Sequence, residues 1–297
     1  MDTLLTLESL LHLPSPLQAI TAWSDSGVRY FIKRDDLIDP YIAGNKYRKL
    51  KGHLTHYLTE RYRYPDGILT YGGAYSNHLY ATASACQRLN IPMTAIVRGL
   101  EVDLSNPTLS HVNKCGTHII KISRTEYRLK DQGQTAASLI NSGNHLVIPE
   151  GGNSQRAHLG VRDLVDEIYE SMTPDYISIM SGTGATAEGI LHHIQGRKTK
   201  LLICSAVRDE SVRQRILAHD HQNQVIWREE QWGGFGKRKP DLIETMQQVI
   251  NETQIPLEYV YTGRLMTHLT QLRAEDFFAS GSTVVVIHTG GLRPSNH

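Results

Sequence analysis

The sequence predicts an α/β protein with mostly parallel sheets, and three observations carry that expectation. Short apolar runs recur along the chain, helical patterns separate most of them, and several of the runs end in glycine-rich turns. Tyr30–Ile32, Ile68–Thr70, Thr94–Val97, His118–Ile120 and Leu146–Ile148 read as strands. So do Ile177–Met180, Leu201–Cys204, Tyr259–Tyr261 and Val284–Ile287. Runs that are apolar at nearly every position suit parallel sheets covered on both faces. Helical patterns fall at 76–89, 157–171, 184–196, 240–252 and 265–277, and Pro107 and Pro240 sit where helices begin. There is no internal repeat and no low-complexity tract.

Composition excludes several classes. Of 297 residues, 40% are apolar and 21% charged, as in an ordinary globular protein. A formal net charge of +1 gives no reason to expect nucleic acid or an anionic membrane as partner. The basic run Lys46-Tyr47-Arg48-Lys49 reads as a solvated helix face. The opening MDTLLTLESLLHLPSPLQ has no basic n-region and no long apolar core, so no secretory leader is expected. No stretch reaches the roughly 18 to 20 apolar residues of a membrane span. Cys86, Cys115 and Cys204 are scattered, which fits a reducing cytoplasm. Fifteen histidines is a high count, yet none lies in a ligand pattern. They are expected to be exposed, and no metal site is expected.

Chemistry is expected where strands run into turns, because open α/β sheets bind ligands beyond the carboxyl ends of their strands. SGTGATAEGI follows the strand YISIM and opens a helix. Its glycines let backbone amides approach an anion, and Thr183 and Thr186 add hydroxyls. No lysine precedes the threonine, so this is not a Walker loop, and Gly182, Gly184 and Gly189 are out of register for a dinucleotide fingerprint. A tight ligand-free turn is the alternative. GGAYSNH follows GILTY and puts Ser76 at a helix start, where serine commonly caps. A Gly-Asn turn delivers Lys46 at another helix start. The helix dipole disfavours a cation there, which favours the neutral amine needed for nucleophilic attack, although a solvent lysine is the plainer alternative.

Taken together and in order, KRDDLIDPYIAGNKYRKLK, GGAYSNH, PEGGNSQRAHLG, SGTGATAEGI, VYTGRLM and IHTGG resemble the 1-aminocyclopropane-1-carboxylate (ACC) deaminase / D-cysteine desulfhydrase family of fold-type-II pyridoxal 5'-phosphate (PLP) enzymes. The resemblance covers nearly the whole chain. It implies a tryptophan synthase β-like fold of two open three-layer α/β domains with mostly parallel sheets. The large PLP-binding domain would comprise 1–45 and 155–297 and the small domain 46–154, with the active site between them. It implies Lys46 as the Schiff-base lysine, Ser76 as a catalytic hydroxyl and Asn77 as partner of the cofactor's phenolic oxygen. Gly182, Thr183, Gly184, Ala185 and Thr186 would hold the phosphate. Tyr261 would stand at cofactor and substrate, and Thr262 and Thr289 beside the pyridine end. It further implies a cytoplasmic homodimer acting on a small amino acid.

Departures within the family bear on substrate. Members that open the cyclopropane ring carry Glu at the Thr262 position and Leu at the Thr289 position, while desulfhydrase-like members carry Thr at both. Phe235 stands where a second active-site tyrosine is expected, and Tyr75 replaces a Gln. The expected reaction is β-elimination from a D-cysteine-like amino acid, giving a 2-oxo acid, ammonia and sulfide. ACC deaminase is the rival within the family. A non-catalytic PLP-binding protein and a plain nucleotide-binding module are rivals from other classes.

Overall fold

The computed structural model describes residues 7–42, 44–229 and 231–292. They divide into two compact units, one of residues 7–12 and 46–160, the other of 13–42, 44–45, 161–229 and 231–292.

The first unit carries a four-stranded parallel sheet of β3 (Gly67–Gly72), β4 (Met93–Arg98), β5 (His118–Ile122) and β6 (His145–Ile148), in the order β5-β4-β3-β6. β3 is buried at every position, as a strand covered on both faces must be. Its helices are α1 (Asn45–Arg61), α2 (Asn77–Leu89), α3 (Pro107–Lys114), α4 (Arg124–Arg128) and α5 (Gln134–Asn141). The start of α6 (Gln155–Ser171) also belongs here. Leu69, Tyr71, Ile96, Ile122, Tyr127 and Ala136 form one core. α1 meets the start of α6 backbone to backbone. A Cβ on Gly160 would stand 1.7 Å from the Arg48 carbonyl oxygen, and one on Gly52 would stand 2.4 Å from that of Arg156. The basic run at the head of α1 is therefore not a solvated face: Arg48 is 1% and Lys49 2% exposed.

The second unit carries a six-stranded sheet of β1 (Leu17–Ala19), β2 (Arg29–Lys33), β7 (Tyr176–Ser181), β8 (Lys200–Ser205), β9 (Val225–Arg228) and β10 (Thr283–Ile287). The order is β1-β2-β10-β7-β8-β9, and only the β1–β2 pairing is antiparallel. β10 shows why its sequence is apolar after Thr283. Val284 and Val286 enter one core with Leu265, Leu269 and Val249, while Val285 and Ile287 enter the other with Val161, Ile190 and Ile216. The helices are α7 (Ala185–Ile194), α8 (Glu210–Leu217), α9 (Pro240–Thr253), α10 (Thr262–Ala274) and the rest of α6. Pro107 and Pro240 each open a helix, as expected.

Two expectations fail locally. Tyr259–Tyr261 is a turn rather than a strand. The Glu258 carboxylate accepts the N–H groups of Val260, Tyr261 and Thr262 at 2.8, 2.8 and 2.6 Å, and Gly263 donates to the Glu258 carbonyl. That curls the chain into α10, which starts at Thr262 and ends at Ala274 rather than spanning 265–277. The expected exposure of the histidines also fails at His53, His78, His268 and His288, all at most 5% exposed. Among the described residues no helix is long and apolar enough to cross a membrane.

Candidate active site

In the first unit, α1 begins with Asn45 and Lys46, and Lys46 is partly exposed as a whole. Burial lowers its ammonium from the ordinary value to about 8, partly offset by a hydrogen bond that it donates to the Lys49 amine. Lys49 is pushed well below its ordinary value, first by burial and then by the charge of Lys46, and its amine donates to the Gly151 carbonyl. His53 Nε2 lies 3.3 Å from the Gly152 carbonyl, and burial lowers its pKa to about 4. The turn at 150–152 that follows β6 thus holds two side chains of α1.

Ser76 caps α2, accepting the Leu79 N–H at 3.2 Å, and Asn77 is the first helical residue. The capping reading of Ser76 is therefore realised. Next to them, His78 is neutral. Thr70 Oγ1 donates to the Ile148 carbonyl at 2.7 Å, so its lone pair takes the His78 Nε2 proton, also at 2.7 Å. Burial, then the charges of Lys46, Lys49 and His53, hold His78 well below its usual pKa. The first unit thus carries Lys46, Ser76 and Asn77 at the heads of α1 and α2, with the charge of Lys46 felt at His78 beside Asn77, and a set of buried nitrogen bases that sequence reading passed over.

The second unit holds the remaining expected residues. Ser181 ends β7 and Ala185 begins α7, leaving Gly182, Thr183 and Gly184 as the connecting turn. Gly184 has φ +89°, a conformation costly for any residue with a Cβ, and no side chain caps the helix. The first amides of α7 therefore have no intrahelical acceptor and point out of its end. A Cβ on Gly182 would crowd the Tyr261 ring at 3.2 Å. Arg215 braces the turn by donating to the Thr183 carbonyl at 2.6 Å and to the Glu188 carboxylate. Thr183 is exposed, whereas Thr186 is buried and its hydroxyl accepts from the Asn45 side chain at 3.2 Å. Asn45 N–H in turn donates to the Thr289 carbonyl at 3.3 Å, and Gly44 packs so closely there that a Cβ would sit 1.9 Å from that oxygen.

Tyr261 directly precedes α10, with burial raising its phenol to about 12, and Phe235 meets it edge-on at 6.0 Å between ring centres. Thr262 is 1% exposed, and its hydroxyl lies 3.4 Å from His288 Nδ1. That nitrogen also accepts from the Gly290 N–H at 3.2 Å, while Nε2 lies 2.9 Å from the Pro256 carbonyl. His288 is therefore neutral with its proton on Nε2, and burial holds its pKa low. Arg264, fully buried, donates to the carbonyls of Tyr259, Gly234 and Lys237 at 3.2, 3.1 and 2.7 Å, which fixes the loop that carries Phe235. Sequence reading missed Asn45, Glu258, Arg264 and His288. Asn45 had a signal, its place between a close-packed glycine and Lys46 in GNKYRKL; Glu258 works through the backbone just after it, and Arg264 and His288 through partners far along the chain.

In the first unit, a buried lysine amine of lowered pKa suits attack on an aldehyde, and in the second an uncapped helix end behind a glycine turn suits a phosphate. The comparisons agree. The chain matches the family described as pyridoxal-phosphate dependent enzyme over residues 8–290, and it belongs to that family. It is thus a PLP-dependent enzyme of fold type II. A Pyrococcus abyssi protein provisionally named 1-aminocyclopropane-1-carboxylate deaminase is 28% identical, over 96% of this chain and 91% of its own. The D-cysteine desulfhydrase of Salmonella typhi is 24% identical, over 95% and 93%. A crystal structure of an ACC deaminase homologue superposes with a TM-score of 0.81 at 23% identity, covering 98% of this chain and 95% of that one.

Proposed function

We propose that this enzyme eliminates the β substituent of a small D-cysteine-like amino acid, releasing a 2-oxo acid and ammonia, with sulfide when the substituent is a thiol. The observation that carries the reading is Thr262, a neutral hydroxyl against a neutral His288, where ring-opening relatives carry a carboxylate. The cofactor supplies an electron sink for the substrate's α carbon. A hydroxyl cannot keep that sink's ring nitrogen protonated as a carboxylate does, and a weaker sink suffices when a good leaving group departs. Lys46 carries the cofactor and, with an amine lowered to about 8, takes the α proton near neutral pH. Ser76 assists that proton transfer, and Asn77 donates to the cofactor's phenolic oxygen. Gly182, Thr183, Gly184, Ala185 and Thr186 hold the phosphate, and Thr289 lines the ring's far end with Thr262. Tyr261, raised to about 12, keeps its proton and can donate it to the departing group. The free cysteines Cys86, Cys115 and Cys204 support a cytoplasmic enzyme, and family habit supports a homodimer built from the small and large domains expected above.

The test is kcat/KM for D-cysteine and for ACC on one preparation, with borohydride fixation of the cofactor mapped by peptide. Higher efficiency on D-cysteine with label on Lys46 is expected. Equal or higher efficiency on ACC would refute the substrate, and label on Lys33 or Lys49 would refute the lysine.

A further inference from the structure

The first unit contains a pocket of about 370 Å³ that none of the chemistry above uses, lined by Arg98, Arg124, Tyr127, Arg128, Lys130 and Glu150. Arg98 closes β4, and Arg124 to Arg128 are the residues of α4, which follows β5. Four cations thus face one carboxylate across a concave surface beyond the carboxyl ends of neighbouring parallel strands, the place where such sheets bind ligands.

The charges inside the pocket are incompletely satisfied. Glu150 is taken by Lys130 at 2.7 Å, and Arg124 reaches out to exposed Glu101 at 2.7 Å. Arg98 and Arg128 are exposed and have no acidic partner among the described residues. Beneath them Tyr127 is 2% exposed, with Lys130 Nζ 3.5 Å and the Arg98 guanidinium 5.6 Å from its ring centre. Its buried hydroxyl faces the Glu150 carboxylate. Burial first, and the nearby Glu150 carboxylate next, raise its pKa, so the phenol keeps its proton and remains a donor.

We propose that this pocket binds a small oxyanion of two or more negative charges, a phosphate ester or a polycarboxylate. Paired guanidinium forks match the geometry of phosphate and carboxylate oxygens and bind them bidentately. The substrate amino acid, with one carboxylate and one amine, does not need four cations. The cofactor's phosphate is accounted for by the 182–186 turn, which lies on the other sheet.

The experiment is titration calorimetry of the PLP-loaded enzyme at low ionic strength, with inorganic pyrophosphate in one arm and citrate in the other. Saturable binding of at least one is expected, weakened about tenfold or more in the Arg98→Ala/Arg128→Ala double variant and kept in Thr186→Val. The arm with the lower Kd tells a phosphorylated ligand from a polycarboxylate. Both arginines are exposed, so the variant should keep the wild-type melting temperature, and Arg128→Gln alone serves if it does not. No saturable heat below about 10 mM of either anion would overturn the site. Equal affinity in the double variant, or affinity lost only in Thr186→Val, would overturn it as well.

Discussion

Replacing Lys49 by Met tests how the lysine pair is charged. The Lys49 amine accepts a hydrogen bond from Lys46 and raises its pKa, while burial lowers it to about 8. Near pH 7 about one Lys46 amine in ten is then neutral, against about one in three thousand for an ordinary lysine. Methionine fills similar volume and offers the ammonium no comparable acceptor. A hydrogen bond to a charged group contributes about 1.5 kcal/mol at the low end, which is about tenfold in acid constant. The Lys46 midpoint should therefore fall from about 8 to about 7, and its neutral fraction near pH 7 should rise about fivefold. Trace acetylation of the cofactor-free protein across pH, read on the peptide that carries Lys46, measures this directly. A midpoint that climbs toward the ordinary lysine value would refute the reasoning, because it would mean that Lys49 is a cation repelling Lys46 rather than a neutral acceptor.

Ser76→Ala removes both a cap and a hydroxyl. A fall of about 1 kcal/mol in unfolding free energy should accompany a loss of roughly 10²- to 10⁴-fold in turnover with cofactor still bound, whereas stability lost at unchanged rate would leave Ser76 as a cap alone. Arg264→Met strips three carbonyls of their donor and frees the loop around Phe235, so stability should drop by about 3 kcal/mol or more, measured by urea unfolding. Acid should destabilise the protein below about pH 6.5. His53, His78, His268 and His288 have lowered pKa values in the fold, so the unfolded chain binds more protons as pH falls and stability is lost in that direction. For His53, lowered to about 4, the loss is on the order of 3 kcal/mol and is complete only below that pH; a urea midpoint that is flat from pH 7 to about 4 would contradict it.

The strands that were legible share one property. β7, β8 and β10 are buried on both faces, so most of their residues are apolar and the run stands out. β9, with the sequence VIWR, is only partly buried at each position, and its apolar triplet lies outside the strands expected above; β1 is three residues long. Tyr259–Tyr261 looked like a strand because β-branched and aromatic residues also suit a turn held by a carboxylate from outside the run. At the site, glycines and the cap residue were readable because local backbone geometry selects them. The partners of Thr262, Thr70 and Arg264 were not, since His288, Ile148 and Gly234 lie far away along the chain.

The position of β10 between β2 and β7 has a consequence for synthesis. Arg29 and Thr283, which share a hydrogen bond at this pairing, are separated by 254 residues. A ribosome adding about 5–20 residues per second takes roughly 10–50 s to cover that span. During this time the β1–β2 hairpin has one open edge and its apolar face uncovered, the condition that invites pairing with other chains. The four-stranded sheet, drawn from the continuous stretch between β3 and β6, is complete well before. The enzyme therefore emerges with one unit ready to fold and the other waiting, and its yield in the cell should depend on chaperone supply and elongation rate more than its equilibrium stability would suggest.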